Sequence, residues 1–558
     1  MRIRIRRAQW PALRIREDFS KIKRVALAAV QSSDSGHLKP KFSSNMREKN
    51  TITPEDSRSQ SGPSAKPVVT LTGAALRIRD KLLLADTNWQ IDQGQHWAIL
   101  GPNGAGKTTL VKALTGDVPV VRGSISHSQP LTAGYVSFEH HQRLIAREER
   151  RDASRYFSGN LEGISTVYET LLESDDAPGR SAIDVERIAA RLQIEHLLER
   201  DIRVVSTGEM RKVQIARVLI QAPDILILDE PFDGLDRSSR GSLAPLIDDL
   251  MDDTRTVILV THRQREILPN ISHVLAVSDG KILFQGRREE VLTPSQMERL
   301  YPSSITTSFS LPAGKGDPAQ VDPTQTDILI SMEDVRVKYG DTTVLDGLSW
   351  TMKSGENWVI LGPNGCGKTT LLNLVSGDNP QAYANKVYLF GRRRGSGESI
   401  WDIKRRIGHV SSEFQIRYRK PITAFEVVLS GFFDSVGLYR DFTTEQKETA
   451  EQWLEVLGIA DKSDRIFNQL SHGEQRMLLL ARSMVKMPPI LILDEPCQGL
   501  DRINRARILD AIDVIGGHSE TNILYVTHYP DEIPSCMTCL LRFEKQPAGR
   551  YKINQQCL

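Results

Sequence analysis

The chain repeats itself. TNWQIDQGQHWAILGPNGAGKTTL, from Thr87 to Leu110, returns as LSWTMKSGENWVILGPNGCGKTTL, from Leu348 to Leu371. LILDEPFDGLD, beginning at Leu226, returns as LILDEPCQGLD from Leu491, and the VTH ending at His262 returns ending at His528. The spacing is steady, 261 residues between Gly101 and Gly362 and 265 between Asp229 and Asp494. Several motifs at one period mean tandem copies of a single folding unit. The length agrees, because 558 residues exceed the roughly 250–300 at which one core stops growing. We therefore expect a first domain over residues 67–302, a linker over 303–326 and a second domain over 327–548. A basic extension, 1–66, and a short tail, 549–558, flank them. The linker stretch is rich in Ser, Thr, Pro and Gly and shows no periodicity. Within each copy, apolar strand-like runs alternate with helical patterns, which predicts an α/β domain with a mostly parallel sheet covered by helices.

Composition narrows the partners less than the repeat narrows the fold. Net charge is +2, from 72 basic and 70 acidic residues, so overall charge favours no partner. Five cysteines are too few for a disulfide framework and fit a reducing compartment. No stretch approaches the roughly 20 apolar residues that cross a bilayer. The expected location is the cytoplasm, peripheral at the inner membrane if a permease is served. Residues 1–30 carry nine Arg or Lys against Glu17 and Asp18. Such an acid-poor leader reads either as a disordered upstream extension or as a mitochondrial transit peptide in a eukaryotic source.

Two loops carry the chemistry. Gly101, Pro102, Asn103, Gly104, Ala105, Gly106, Lys107, Thr108 and Thr109 match the phosphate-binding loop in full. So do Gly362, Pro363, Asn364, Gly365, Cys366, Gly367, Lys368, Thr369 and Thr370. Each follows an apolar strand, WAIL or WVIL, and opens a helix, which is the context the motif requires. The glycines let backbone N–H groups close around phosphates, and the helix N-terminus favours negative charge. Lys107 and Lys368 reach the outer phosphates, while Thr108 and Thr369 offer a hydroxyl to Mg²⁺. Asp229 and Asp494 end buried-strand runs where a carboxylate can hold the Mg²⁺ shell. Glu230 and Glu495 follow at once, placed to act as general base on water attacking the γ-phosphate of ATP.

Together these residues resemble the ABC ATPase family over about residues 67–545, and the resemblance implies two tandem P-loop NTPase domains of that type. It extends to the family's serine-containing signature. VSTGE (Val205 to Glu209) keeps Ser206 and Gly208, and LSHGEQ (Leu470 to Gln475) keeps Ser471 and Gly473. Thr207 and His472 replace the family's first glycine, and Glu209 and Glu474 its glutamine. GLD at Gly234 to Asp236 and at Gly499 to Asp501 matches the D-loop, and His262 and His528 match the switch histidine that contacts the γ-phosphate. The resemblance implies an intramolecular head-to-tail sandwich with two ATP sites. One combines Lys107, Thr108, Glu230 and His262 under Ser471. The other combines Lys368, Thr369, Glu495 and His528 under Ser206.

The copies are unequal. The family's adenine-stacking aromatic is Tyr339 in the second copy and falls on Ile78 in the first, so the first site is expected to hold nucleotide less well. The glutamine after the next strand is displaced: Glu139 and Glu413 stand one place beyond it, with Gln142 and Gln415 close by. Leu389 to Ser412 and the strands opening at Trp97 and Trp358 resemble ModF-type tandem cassettes, associated with molybdate transport or photorepair. This resemblance implies an ATPase working with a separate membrane permease. A non-transport ATPase acting on nucleic acid or ribosomes remains the alternative. Nine basic residues between Arg392 and Lys420 read either as a nucleic-acid or lipid stripe or, better, as a solvated connection. Cys536 and Cys539 form a lone CxxC without the second pair a zinc site needs.

Overall fold

The computed structural model describes residues 66–78, 81–128, 130–137, 166–172, 182–252, 254–302, 311–312, 327–418, 420–546 and 550–558. The N-terminal extension, Glu139, Gln142 and nearly all of the linker lie outside them.

Both halves are built alike. In the first, strands run in the order Ala133–Val136, Ile225–Asp229, Thr256–Thr261, Trp97–Leu100 and His273–Ser278, all parallel, and Lys281–Arg287 closes the edge antiparallel. The second repeats this with Ile407–Ser411, Ile490–Asp494, Asn522–Thr527, Trp358–Leu361, Cys539–Lys545 and Tyr551–Cys557. Trp97–Leu100 and Trp358–Leu361 are buried at every position. Covered on both faces, they read as unbroken apolar runs rather than alternating ones.

A small antiparallel sheet lies over each main sheet. Its central strand is Pro67–Ile78 in the first half and Ile328–Tyr339 in the second. One core lies between the two sheets and takes in the helix after the phosphate loop; a second lies under the helices of the other face. The repeated tryptophans join the layers edge to face: Trp89 meets Trp97 at 5.4 Å and Trp350 meets Trp358 at 5.5 Å. That contact explains why both tryptophans recur in the repeat.

One expected boundary fails. The tail over 549–558 contains a strand, Tyr551–Cys557, paired with Cys539–Lys545 from Lys545↔Tyr551 to Cys539↔Cys557. It completes the sheet as Lys281–Arg287 does in the first half. Its run of Asn and Gln hid it, because an edge strand exposes one face and needs only Tyr551 and Ile553 to pack inward. Within the stretch expected to be linker, Leu311 packs against the second half's helical core.

Candidate functional site

The phosphate loops take the geometry their glycines permit. Gly104 and Gly106 have φ of 78° and 104°, Gly365 and Gly367 of 75° and 103°. These left-handed values strain any other residue. A Cβ on Gly101 would lie 2.0 Å from the Val277 carbonyl oxygen, so the loop also needs glycine where it leaves the strand. Helices Lys107–Leu114 and Lys368–Ser376 follow at once. Lys107 Nζ donates to the carbonyls of Gly101 and Pro102 at 2.8 and 3.0 Å; Lys368 Nζ does the same to Gly362 and Pro363, both at 2.9 Å.

Thr108 Oγ1 donates to Asp229 Oδ2 at 2.8 Å, and Tyr135 Oη donates to the same oxygen at 2.7 Å. A hydroxyl and a carboxylate so close form a hard-oxygen donor set of the kind Mg²⁺ takes beside substrate phosphates. Burial raises the Asp229 carboxyl above its ordinary value, and in the second half burial with Glu495 alongside pushes Asp494 up to about 6. Such carboxylates gain most from a cation. Thr369 occupies the equivalent helix position, but the residue matching Tyr135 is His409.

Glu230 and Glu495 hold a conformation rare for a residue with a side chain, φ of 51° and 47°. Their N–H groups donate to Val260 and Val526 oxygens at 2.9 and 3.0 Å, which keeps each in place. Strain of this order, about 1–3 kcal/mol, persists where the surroundings over-determine the backbone. His262 Nδ1 lies 3.0 Å from Glu230 Oε2, and His528 Nδ1 lies 2.9 Å from Glu495 Oε1. Burial alone would raise both glutamates, but the histidine and the loop lysine outweigh it and hold each below the usual carboxylate range. Each site thus keeps an ionised carboxylate against an imidazole.

The halves complete each other through their D-loops. Asn103 N–H donates to Asp501 Oδ2 at 2.7 Å, and its side chain donates to the Gly499 carbonyl at 2.7 Å. Reciprocally, Asn364 donates to Asp236 Oδ2 and to the Gly234 carbonyl, both at 2.9 Å. The second oxygen of each aspartate caps the following helix, Asp236 through Ser239 N–H and Asp501 through Asn504 N–H. Each phosphate loop is therefore docked on the D-loop of the other half.

The signature serines are N-caps. Ser206 Oγ accepts from Glu209 N–H at 3.3 Å, and Glu209 accepts from Ser206 N–H at 2.9 Å; Ser471 and Glu474 do the same at 3.4 and 2.7 Å. Glutamate at this position closes a capping box, so the departure from glutamine has a structural use. Gly208 and Gly473 admit no side chain, since a Cβ would meet Ser239 at 2.9 Å and Asn504 at 2.4 Å. Tyr339 stands half exposed at its strand end, its hydroxyl accepting from Asn379 at 2.9 Å. Ile78 ends the matching strand; its side chain lies outside the described residues.

Of the displaced loop residues, Glu413 is exposed, while Gln415 is buried and bound to the second signature helix. It donates to Gln475 Oε1 at 2.9 Å and accepts from Arg476 Nε at 2.8 Å. The basic run is split up rather than striped: Arg394 pairs with Glu398, Lys404 with Asp378, Arg405 with Asp402, and Arg406 lies over Phe390. Among the described residues no cluster of three metal-binding side chains occurs, and Cys536 and Cys539 are free thiols.

Reading the motifs missed the residues just after the two histidines. Arg263 donates from Nε to His262 Nε2 at 3.1 Å. Tyr529 lies tilted against His528, ring centres 3.9 Å apart, and reaches into the first half, accepting from Arg240 at 2.5 Å and donating to the Leu235 carbonyl at 3.1 Å. Aligning THRQRE with THYPDE would have exposed the difference.

Comparison with known proteins identifies the family. The profile of the family described as ABC transporter matches residues 84–233 and 345–498. The ABC transporter ATP-binding protein ModF of Escherichia coli is 38% identical over 470 residues, 84% of this chain and 95% of that protein. An uncharacterized ABC transporter ATP-binding protein of Schizosaccharomyces pombe is 30% identical across 82% of this chain and 93% of its own length. Among solved structures, an archaeal ribosome recycling factor in complex with a ribosomal stalk protein shares the fold with a TM-score of 0.51 at 21% identity. That match covers 86% of this chain and 89% of that one.

Proposed function

The chain belongs to the ABC transporter family of ATP-binding proteins, and from that premise we propose that it is an ATP-driven clamp whose two cassettes close on nucleotide and open on hydrolysis. ATPase activity and the tandem architecture come with the family; the division of labour below is our reading. The observation that carries it is the reciprocal docking of Asn103 on Asp501 and Asn364 on Asp236, which links each nucleotide loop to the opposite cassette.

In this reading the loop N–H groups and Lys107 or Lys368 bind the phosphates, the lysine exchanging two carbonyl partners for phosphate oxygens. Thr108 with Asp229, and Thr369 with Asp494, would hold Mg²⁺, which would supply positive charge against the phosphates. Glu230 and Glu495, ionised, orient the attacking water and take its proton. His262 and His528 hold those carboxylates and meet the γ-phosphate. Ser206 and Ser471, at helix N-termini, cap the nucleotide of the opposite cassette. Closure is a population shift, driven by contacts that exist only with ATP between the cassettes.

For the partner we favour non-transport work on nucleic acid or a ribosome over service to a permease. Both halves of the sandwich reside in one chain, and its tandem fold extends over most of the recycling factor. Among the described residues no helix is long and apolar enough to cross a membrane. Molybdate-related transport through a separate permease is the second reading, resting on the likeness to ModF and its printed name. Capture from native cells with Glu230→Gln and Glu495→Gln combined, which holds the closed form, separates the two. Ribosomal or nucleic-acid-bound proteins are expected; a membrane permease in their place would overturn the preference.

A further inference from the structure

The two switch histidines differ at one atom. Each uses Nδ1 on its glutamate, so only Nε2 remains for anything else. In the first cassette that nitrogen accepts from Arg263 Nε at 3.1 Å, with both side chains buried. Accepting there leaves Nε2 without a proton and places the ring proton on Nδ1, facing Glu230. In the second cassette His528 Nε2 is equally buried and has no hydrogen-bond partner. A buried polar atom without a partner is costly, about 1–3 kcal/mol, so one poised beside the phosphate loop is ready for a ligand. His528 lines a cavity of about 740 Å³ shared with Gly362, Pro363 and Tyr529.

Arg263 is also held from the other cassette. Its guanidinium lies 3.6 Å from Glu532 and 5.1 Å from the centre of the Tyr529 ring, with Glu266 of its own cassette at 3.9 Å. Tyr529 in turn packs on His528 and is anchored to Arg240 and to the Leu235 carbonyl, one residue before Asp236. One continuous contact path thus runs His262, Arg263, Tyr529, His528. The repeat does not mirror it, because the residue matching Arg263 is Tyr529 itself.

We propose that Arg263 is a positioning residue that locks the first switch histidine with its free nitrogen occupied, and that Tyr529 ties this lock to the second switch histidine. The second site therefore engages the γ-phosphate at once. The first follows only when movement of His528 shifts Tyr529 and withdraws Arg263. This rests on the reading of His262 and His528 as γ-phosphate contacts given above. A buried arginine that merely seals the interface would have no such directional effect.

Rapid-quench measurement of ADP formed on mixing the full chain with saturating Mg-ATP tests it. With the lock in place the fast phase amounts to about one ADP per chain, and Arg263→Met, which keeps the stem and removes the donor, raises it to about two. Arg263→Lys, still able to donate, returns it towards one. Glu230→Gln keeps the fast phase, and Glu495→Gln loses it until combined with R263M. A fast phase already near two in the wild type, unchanged by R263M, or lost in Glu230→Gln overturns the proposal. Should R263M fail to fold, Tyr529→Leu cuts the tie through which His528 withdraws Arg263: the fast phase must stay near one ADP and adding Glu230→Gln must cost no further turnover, or the lock is refuted. Persistent hydrolysis in the combined Glu230→Gln and Glu495→Gln chain would instead sink the reading of the site, so the two failures are distinct.

Discussion

The two nucleotide sites are built from one plan and differ in their attachments. The first has Tyr135 on Asp229 and Arg263 on His262. The second has Tyr339 exposed at a strand end, where adenine stacking is proposed, and His528 with its outer nitrogen buried and without a hydrogen-bond partner. In the first site Tyr135 and Arg263 each occupy a polar atom, of Asp229 and of His262, whereas in the second His528 Nε2 is buried without a hydrogen-bond partner. The difference teaches that a duplicated site can be made unequal without touching the phosphate loop, by changing the residue next to a shared one.

The largest expected effect removes the carboxylates. Glu230→Gln with Glu495→Gln should lower steady-state ATP turnover by roughly 10²–10⁴-fold while ATP binding persists, measured by phosphate release and nucleotide filter binding. Taken singly, Glu495→Gln should cost more than Glu230→Gln. Equal losses would break the comparison at its base.

Next comes the docking between cassettes. Asp236→Ala and Asp501→Ala each remove a carboxylate that receives an N–H from the opposite phosphate loop. Burial would raise the Asp236 carboxyl, but the N–H groups of Ser239 and Asn364 outweigh it and hold it low, the mark of charge-assisted bonds. At about 1.5–3 kcal/mol for a hydrogen bond to a charged group, ATP-induced closure should weaken by roughly ten-fold or more, read as the nucleotide concentration that drives the closed form. D501A should act on the first site and D236A on the second. Identical responses from both sites would show that the docking is not local.

Adenine stacking follows. Tyr339→Ala should weaken nucleotide at the second site by about 1–3 kcal/mol, and Ile78→Tyr should strengthen the first, by titration of fluorescent ATP into single-site variants. No change on Tyr339→Ala would remove the adenine argument and leave Arg263 and His528 as the remaining grounds for inequality.

How much of this could be read beforehand depends on whether the feature was local. The phosphate loops, Asp229, Asp494 and the histidines stood in the sequence, because strand, glycine turn and helix follow one another directly. The strand Tyr551–Cys557 did not, since an edge strand with one packed face carries little apolar signal. Docking of Asn103 on Asp501 spans 398 positions and needs the resemblance to anticipate it. Arg263 and Tyr529 were visible as letters but silent as function. Their meaning lies in which nitrogen of a neighbouring imidazole is occupied, and no periodicity or spacing encodes that.

The smallest effect concerns the altered signatures. Both replace glutamine by glutamate, and both glutamates close capping boxes, yet their surroundings differ. Glu209 sits beside Ser206 with His196 at 3.7 Å, while Glu474 also binds Lys462 directly. Burial would raise each carboxyl, but the serine contacts, and for Glu474 the lysine, hold both below the ordinary value. Loss of a capping partner costs about 0.5–2 kcal/mol, so Glu474→Ala should lower the denaturant midpoint more than Glu209→Ala. Glutamine at either position keeps the oxygen that accepts the serine N–H and gives up only the charge. Glu209→Gln should therefore be almost silent in stability, whereas Glu474→Gln should show the loss of Lys462. If both glutamine variants were silent, the second signature's glutamate would be a cap and nothing more, and the inequality of the two sites would be confined to the phosphate side of the sandwich.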